Sequence, residues 1–351
     1  MRSSIILVSI VAGFFLQSCK EKNQAINPAT YIANGQMPNI TKDNSGGLHL
    51  VYGNGDSILY SFSADDGVSF SQPALISVLP QLAASHMRGP QIAATENVIL
   101  VTAANNAGDI FSYSKAKSGK WLQTSRVNDV DTVAKEGLMA LAADGNNSFA
   151  VWLDLRDKHN KIFGARSTDA GNTWSKNIMI YSSPDTTVCE CCKPSVVMEG
   201  NDVYVMFRNQ LNGNRDMYLI QSTDAGNSFG ETQKIGNGSW AVNGCPMDGG
   251  GLSMTNTGIQ TIWRRENKIF NCEPGKQEKE LGEGKSCTIE SVNGKNVYAW
   301  IVKGEVVVLT PTGESINLGK GQLPILKSVN KEHIICIWEN EKRIHKAVLD
   351  L

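Results

Sequence analysis

Past residue 30 the chain is written in short apolar runs rich in β-branched and aromatic residues, broken at close intervals by Gly, Asn and Asp. No helical periodicity lasts beyond a turn or two, so the pattern predicts an all-β chain. The strongest runs each end in a large residue or its stand-in, at Tyr52, Thr102, Trp152, Phe207, Trp263, Trp300 and Trp338. These ends predict seven units, and the strand that opens each unit is expected to begin near Pro38, Pro90, Gly137, Pro194, Asp248, Cys287 and Pro324. The final unit has room for only three strands. A strand from residues 31–35 is expected to complete it and close the chain into a ring.

A second repeat lies between the runs. The turn Ser63-Ala64-Asp65-Asp66-Gly67-Val68-Ser69-Phe70 recurs as Ser167-Thr168-Asp169-Ala170-Gly171-Asn172-Thr173-Trp174 and as Ser222-Thr223-Asp224-Ala225-Gly226-Asn227-Ser228-Phe229. A degenerate fourth copy runs from Ser114 to Trp121, so the starts at 63, 114, 167 and 222 lie 51, 53 and 55 residues apart. The carboxylate accepts hydrogen bonds across a tight turn, Gly supplies a positive φ, and the aromatic residue plugs the turn from below. The repeat resembles the Asp-box, or bacterial neuraminidase repeat, of the sialidase superfamily. That resemblance implies a β-propeller in which the box joins the third and fourth strands of a blade, and it makes Asp65, Asp169 and Asp224 structural. Sialidases of this superfamily have six blades; the count here favours seven, with six as the alternative.

The N-terminus is written differently. A positive Arg2 precedes an apolar run over residues 5–16, the length of a signal-peptide core and too short to span a bilayer. Leu16-Gln17-Ser18-Cys19 resembles the bacterial lipobox, which implies removal of residues 1–18, lipidation of Cys19 and an outer-membrane anchor. Residues 19–36, polar and with Asn and Pro, read as a tether, and residues 37–351 as one propeller domain. With 33 basic against 34 acidic residues and no basic block, nothing tracks a nucleic-acid backbone.

Candidate chemistry follows from the ring. In a propeller the first strand of each blade lines the central channel, so the loops entering these strands open on one face. They read His86-Met87-Arg88-Gly89, Lys135-Glu136, Cys189-Glu190-Cys191-Cys192-Lys193 and Asn243-Gly244-Cys245-Pro246-Met247-Asp248. Cys189, Cys191, Cys192, Cys245, Met87, Met247 and His86 form a soft donor set suited to Cu(I), or to Zn(II) if thiolate and imidazole dominate. A disulfide from Cys245 to one of the clustered cysteines is the structural alternative, and a redox-active thiol the third. Glu136, Glu190 and Asp248 are expected at the same mouth. Cys272 and Cys287 flank a polar insertion and read as a second, local disulfide, whereas Cys336 lies in an apolar strand and reads as a core thiol. Asp154, Arg156 and Asp157, and Arg215 with Asp216, fall at hairpins between second and third strands and read as charged surface turns.

The sialidase resemblance also implies a glycosidase site. Met87-Arg88-Gly89-Pro90-Gln91-Ile92 is similar to the motif carrying the first carboxylate-binding arginine, which puts Arg88, Arg208 and Arg264 in a substrate clamp and Asp109 in the acid/base role. Lys285-Ser286-Cys287 stands where the family's tyrosine nucleophile belongs. The preferred reading is a lipid-anchored propeller whose mouth binds a soft metal or an acidic, sialylated glycan. An exo-sialidase and a non-catalytic interaction module held by disulfides are the alternatives.

Overall fold

The computed structural model describes residues 29–116 and 119–351. The signal segment, Cys19 and most of the tether lie outside the described residues. Within them every regular element is a strand, and the strands form seven four-stranded antiparallel sheets. Blades 1 to 6 each run through their four strands in sequence order. Blade 7 takes three strands from the C-terminus, Gln322–Ser328, His333–Asn340 and Arg343–Asp350, and its fourth is Thr30–Asn34. The pairing is antiparallel, with Tyr31 opposite His345 and Asn34 opposite Arg343. Residues 30–36 therefore belong to the ring rather than to the tether.

The pattern along each strand records its depth. Second strands are packed on both faces by neighbouring blades, which is why they read as continuous apolar runs; Asn147–Asp154 and His333–Asn340 are buried almost throughout. Fourth strands such as Ala74–Val78 and Leu122–Arg126 lie on the rim and are half exposed. The seven hydrophobic clusters each span one interface between neighbouring blades; one joins Leu50 and Tyr52 of blade 1 to Ile335 and Ile337 of blade 7. Stability is thus distributed around the ring.

The Asp-boxes are the outer rivets. In the first, Asp65 accepts hydrogen bonds from the Ser69 hydroxyl at 2.6 Å, the Ser69 amide at 3.0 Å and the Ser63 hydroxyl at 2.8 Å. The Ser69 hydroxyl and amide hold its carboxyl down to about 2. Asp169 and Asp224 repeat the arrangement. Each box also reaches the preceding blade. A side chain on Gly171 would collide with Leu100, and Trp174 donates its indole N–H to Ser112 at 3.1 Å. In the degenerate fourth box Ala116 replaces the aspartate, while Trp121 still packs edge-on against Tyr60.

One expectation is corrected. Cys272 and Cys287 are buried free thiols, not a disulfide. Cys272 packs into the cluster between blades 4 and 5, whereas Cys287 packs into the cluster between blades 5 and 6. Blade 5 separates them. Cys336 is buried between blades 6 and 7, and burial pushes its pKa up.

Candidate functional site

The first strands of all seven blades line a central cavity of about 240 Å³. Inside it the Lys193 ammonium donates to the Gln91 side-chain oxygen at 2.7 Å, and burial lowers its pKa to about 8. The cysteine cluster sits where the chain enters blade 4, beside this cavity.

Local pairing places the sulfurs. The Val188 amide bonds to Asn160 O and the Cys189 amide to Arg208 O, laying this loop across blade 4's second strand, Asp202–Leu211. The loop entering blade 5 is held against blade 4 by the Arg215 amide on Trp240 O at 2.9 Å and the Trp240 amide on the Asp216 carboxylate at 2.8 Å. Gly249 then passes so close to blade 4 that any side chain there would collide with Lys193 O. Two consecutive entry loops are thereby clamped together, and Cys191 and Cys245 are joined by a disulfide with a Cα separation of 6.1 Å.

Cys189, Cys191 and Cys192 converge around a common point. Cys189 Sγ lies 3.4 Å from Cys192 Sγ and 3.7 Å from Cys191 Sγ, and the third edge is 3.9 Å. Cys189 and Cys192 are buried, Cys191 is half-buried and Cys245 is exposed. A hydrogen bond with Cys192 lowers the Cys189 pKa to about 6; burial opposes this, and the Arg215 guanidinium, 3.0 Å from the sulfur, supports it. Burial moves Cys192 the other way, well above the ordinary thiol range. Arg215 also pairs with Glu190 at 3.5 Å.

The sialidase-like arginines are otherwise employed. Arg208 is buried and spends its N–H groups on main-chain carbonyls: Asp248 O at 3.2 and 3.1 Å, Arg264 O at 2.8 Å and Arg215 O at 2.8 Å. Its guanidinium and that of Arg264 flank the Trp240 ring at 5.3 and 5.4 Å. Arg264 donates to Glu266 O and Pro246 O. Arg88 is tied to Glu136 through both the main-chain oxygen and the carboxylate. Asp109 accepts the Thr132 amide at 3.0 Å and faces Arg126 at 3.6 Å, within its own blade. Asp248 is buried and accepts the Ser286 amide at 2.6 Å, linking blade 5 to blade 6; desolvation raises its pKa against that bond and the nearby arginines.

The expected soft-donor set is thus narrowed. Among the described residues the only grouping of three or more His, Cys, Asp or Glu side chains close enough to share an ion is Cys189, Cys191 and Cys192. His86 is exposed and outside it, Met87 packs with Leu138 and Ala140, and Met247 is exposed. Arg215 and Trp240 are site residues that sequence reasoning misses. By pattern alone Arg215 reads as half of a surface pair; the available signal is its place in the hairpin after Arg208, in the unit that carries the cysteines.

No family model matches the chain, and no curated protein matches it. Solved structures do. The chain is similar to the BP39L lectin from Burkholderia pseudomallei (TM-score 0.65, 9% identity, 92% of this chain and 97% of that one). It is also similar to the α-L-arabinofuranosidase Arb93A from Fusarium graminearum (TM-score 0.54, 14% identity, 93% and 97%). A third is the α-L-arabinanase of Penicillium chrysogenum (TM-score 0.52, 12% identity, 93% and 97%). At these identities the likeness shows the fold alone, a β-propeller, and among the described residues its sheets number seven rather than six.

Proposed function

We propose that this chain is an envelope-anchored binding propeller that holds a soft metal ion, Cu(I) or Zn(II), on Cys189, Cys191 and Cys192. The observation that carries the reading is the spacing of the three sulfurs. An ion about 2.3 Å from each sulfur places them about 3.8 to 4.0 Å apart in tetrahedral or trigonal geometry. The edges of 3.4, 3.7 and 3.9 Å need only small adjustment. Arg215 and Arg208 offset the negative charge that thiolate ligands bring. Ligation requires Cys191 as a thiolate, so the reduced protein is the binding form.

The test is a titration of reduced, anaerobic protein with Zn(II) or Cu(I) against a chromophoric chelator. One equivalent is expected, lost in Cys189→Ser and in Cys192→Ser while circular dichroism stays unchanged. Binding that persists in both variants would refute the site. The anchor is a separate claim: Cys19→Ala is expected to leave an unprocessed or soluble precursor, and a variant still lipidated and membrane-bound would refute it.

An acidic glycan is the second reading, supported by a fold shared with a lectin and with enzymes named for arabinose-containing glycans. Arg88, half-buried in the loop that enters the first strand of blade 2, is the guanidinium that meets a carboxylate in this reading. The exo-sialidase version is weaker, because Arg208 has committed four hydrogen bonds to the main chain and Ser286 occupies the entry where a tyrosine would act.

A further inference from the structure

We infer that the Cys191–Cys245 disulfide is a redox gate on the metal site: a dithiol reductant opens the site, and oxidation closes it and expels the ion. The inference rests on the metal reading above and concerns its control.

The two uses of Cys191 exclude one another. Its sulfur is one corner of the three-sulfur cluster and is also bonded to Cys245. A sulfur within a disulfide carries no thiolate charge, so the oxidised site is left with only two of its three thiolate ligands.

Exposure gives the gate a direction. Cys189 and Cys192 are buried and Cys191 is half-buried, whereas Cys245 is exposed on the loop entering blade 5. An external thiolate therefore meets the Cys245 sulfur first. Attack there forms a mixed disulfide with Cys245, breaks the Cys191–Cys245 bond and releases Cys191 as a thiolate into the cluster, where Arg215 lies beside Cys189. The donor's second thiolate then attacks its own sulfur in the mixed disulfide and releases Cys245. The donor ends as a disulfide, the protein has gained two electrons, and three thiolate-capable sulfurs face one point. The reverse exchange, with a disulfide-bearing partner as oxidant, removes Cys191 from the ion.

The loop can open without dismantling the blades. Its attachments to blade 4 lie on either side of Cys245, at Trp240 and Ala241 before it and at Asp248 and Gly249 after it. A methyl group placed on Gly244, next to Cys245, would meet only Val242 within 4 Å, at 3.8 Å, so the segment bearing the thiol has room around it. Cys245 is therefore the latch, and the ligands remain on blade 4.

Zn(II) titrations on the full mature chain test this, with the wild type in oxidised and phosphine-reduced forms and Cys245→Ser, reduced and then kept anaerobic without reductant. Reduced wild type and Cys245→Ser should each bind one equivalent. Oxidised wild type should bind at least tenfold more weakly. Equal binding by oxidised and reduced wild type would overturn the gate but leave the metal site standing. Binding by reduced wild type but not by folded Cys245→Ser would make Cys245 a ligand and also overturn it. If neither reduced form binds, the metal reading itself fails. Cys245→Ala serves in place of Cys245→Ser should the serine variant not fold, as judged by circular dichroism.

Discussion

Arg208→Met is expected to destabilise the protein by roughly 3 to 5 kcal/mol, the cost of removing one member of a buried polar network. Methionine fills the space of the arginine stem, so the loss is chiefly polar. The carbonyls of Asp248, Arg264 and Arg215 lose their donor together, and each unpaired buried acceptor costs roughly 1 to 3 kcal/mol where water cannot replace it. The stack against Trp240 goes as well. The damage should centre on the junction of blades 4 and 5, where the same arginine ties the start of blade 5 to a hairpin of blade 4. Denaturant unfolding checks this, read beside the rate at which Cys189 reacts with a thiol reagent, which should rise as the junction loosens. A variant of near-native stability that has lost only glycan binding or cleavage would overturn this account and return Arg208 to the substrate clamp of the sialidase resemblance.

The fold is legible in the sequence because a propeller writes the same sentence several times. Pro38, Pro90, Pro194 and Pro324 mark strand entries that the structure begins at Gln36, Gln91, Ser195 and Gln322. Proline suits such a position because it lacks an amide N–H and restricts the residue before it. The aromatic ends of the second strands register the blades because those residues are buried between sheets. Ring geometry also places Cys245 within reach of the Cys189 to Cys192 cluster without any motif to say so. What does not come through is direction. Nothing in Phe207-Arg208-Asn209 says whether the guanidinium faces a ligand or the neighbouring blade's carbonyls; the family resemblance points to a ligand, and the side chain turns to the carbonyls. Cys272 and Cys287 show the same limit: closeness in sequence across an insertion says nothing about the sheet that stands between them. Charged hairpins are usually solvated, which is why Arg215 carries no signal of its own, whereas the packing of the entry loop over it makes it a partner of Cys189.

Removing the closing strand should have the larger effect. A chain that begins at Gln36 is expected to lose cooperative folding, or to melt far below the full-length protein, because Thr30–Asn34 is what makes the ring a ring. Without it Arg343–Asp350 becomes an open edge, and such edges invite pairing between chains. The lost ladder contributes roughly 0.5 to 1.5 kcal/mol per hydrogen bond. Loss of Ile32 and Ala33, which pack into the cluster shared by blades 1 and 7, removes roughly 2 to 4 kcal/mol more. These terms together rival the roughly 5 to 15 kcal/mol by which a folded domain usually survives. What remains of the joint includes the Met37 amide on the Glu339 carboxylate at 2.9 Å, the contacts of the first strands, and the rest of that shared cluster. Thermal melts followed by light scattering provide the check, with expected loss of a sharp transition and growth of aggregates. A converse variant carrying cysteines at Asn34 and Arg343, which stand opposite one another in the pairing, should melt above wild type once oxidised. A truncated chain melting within a few degrees of wild type as a monomer would show that the interfaces between blades hold the ring without its clasp.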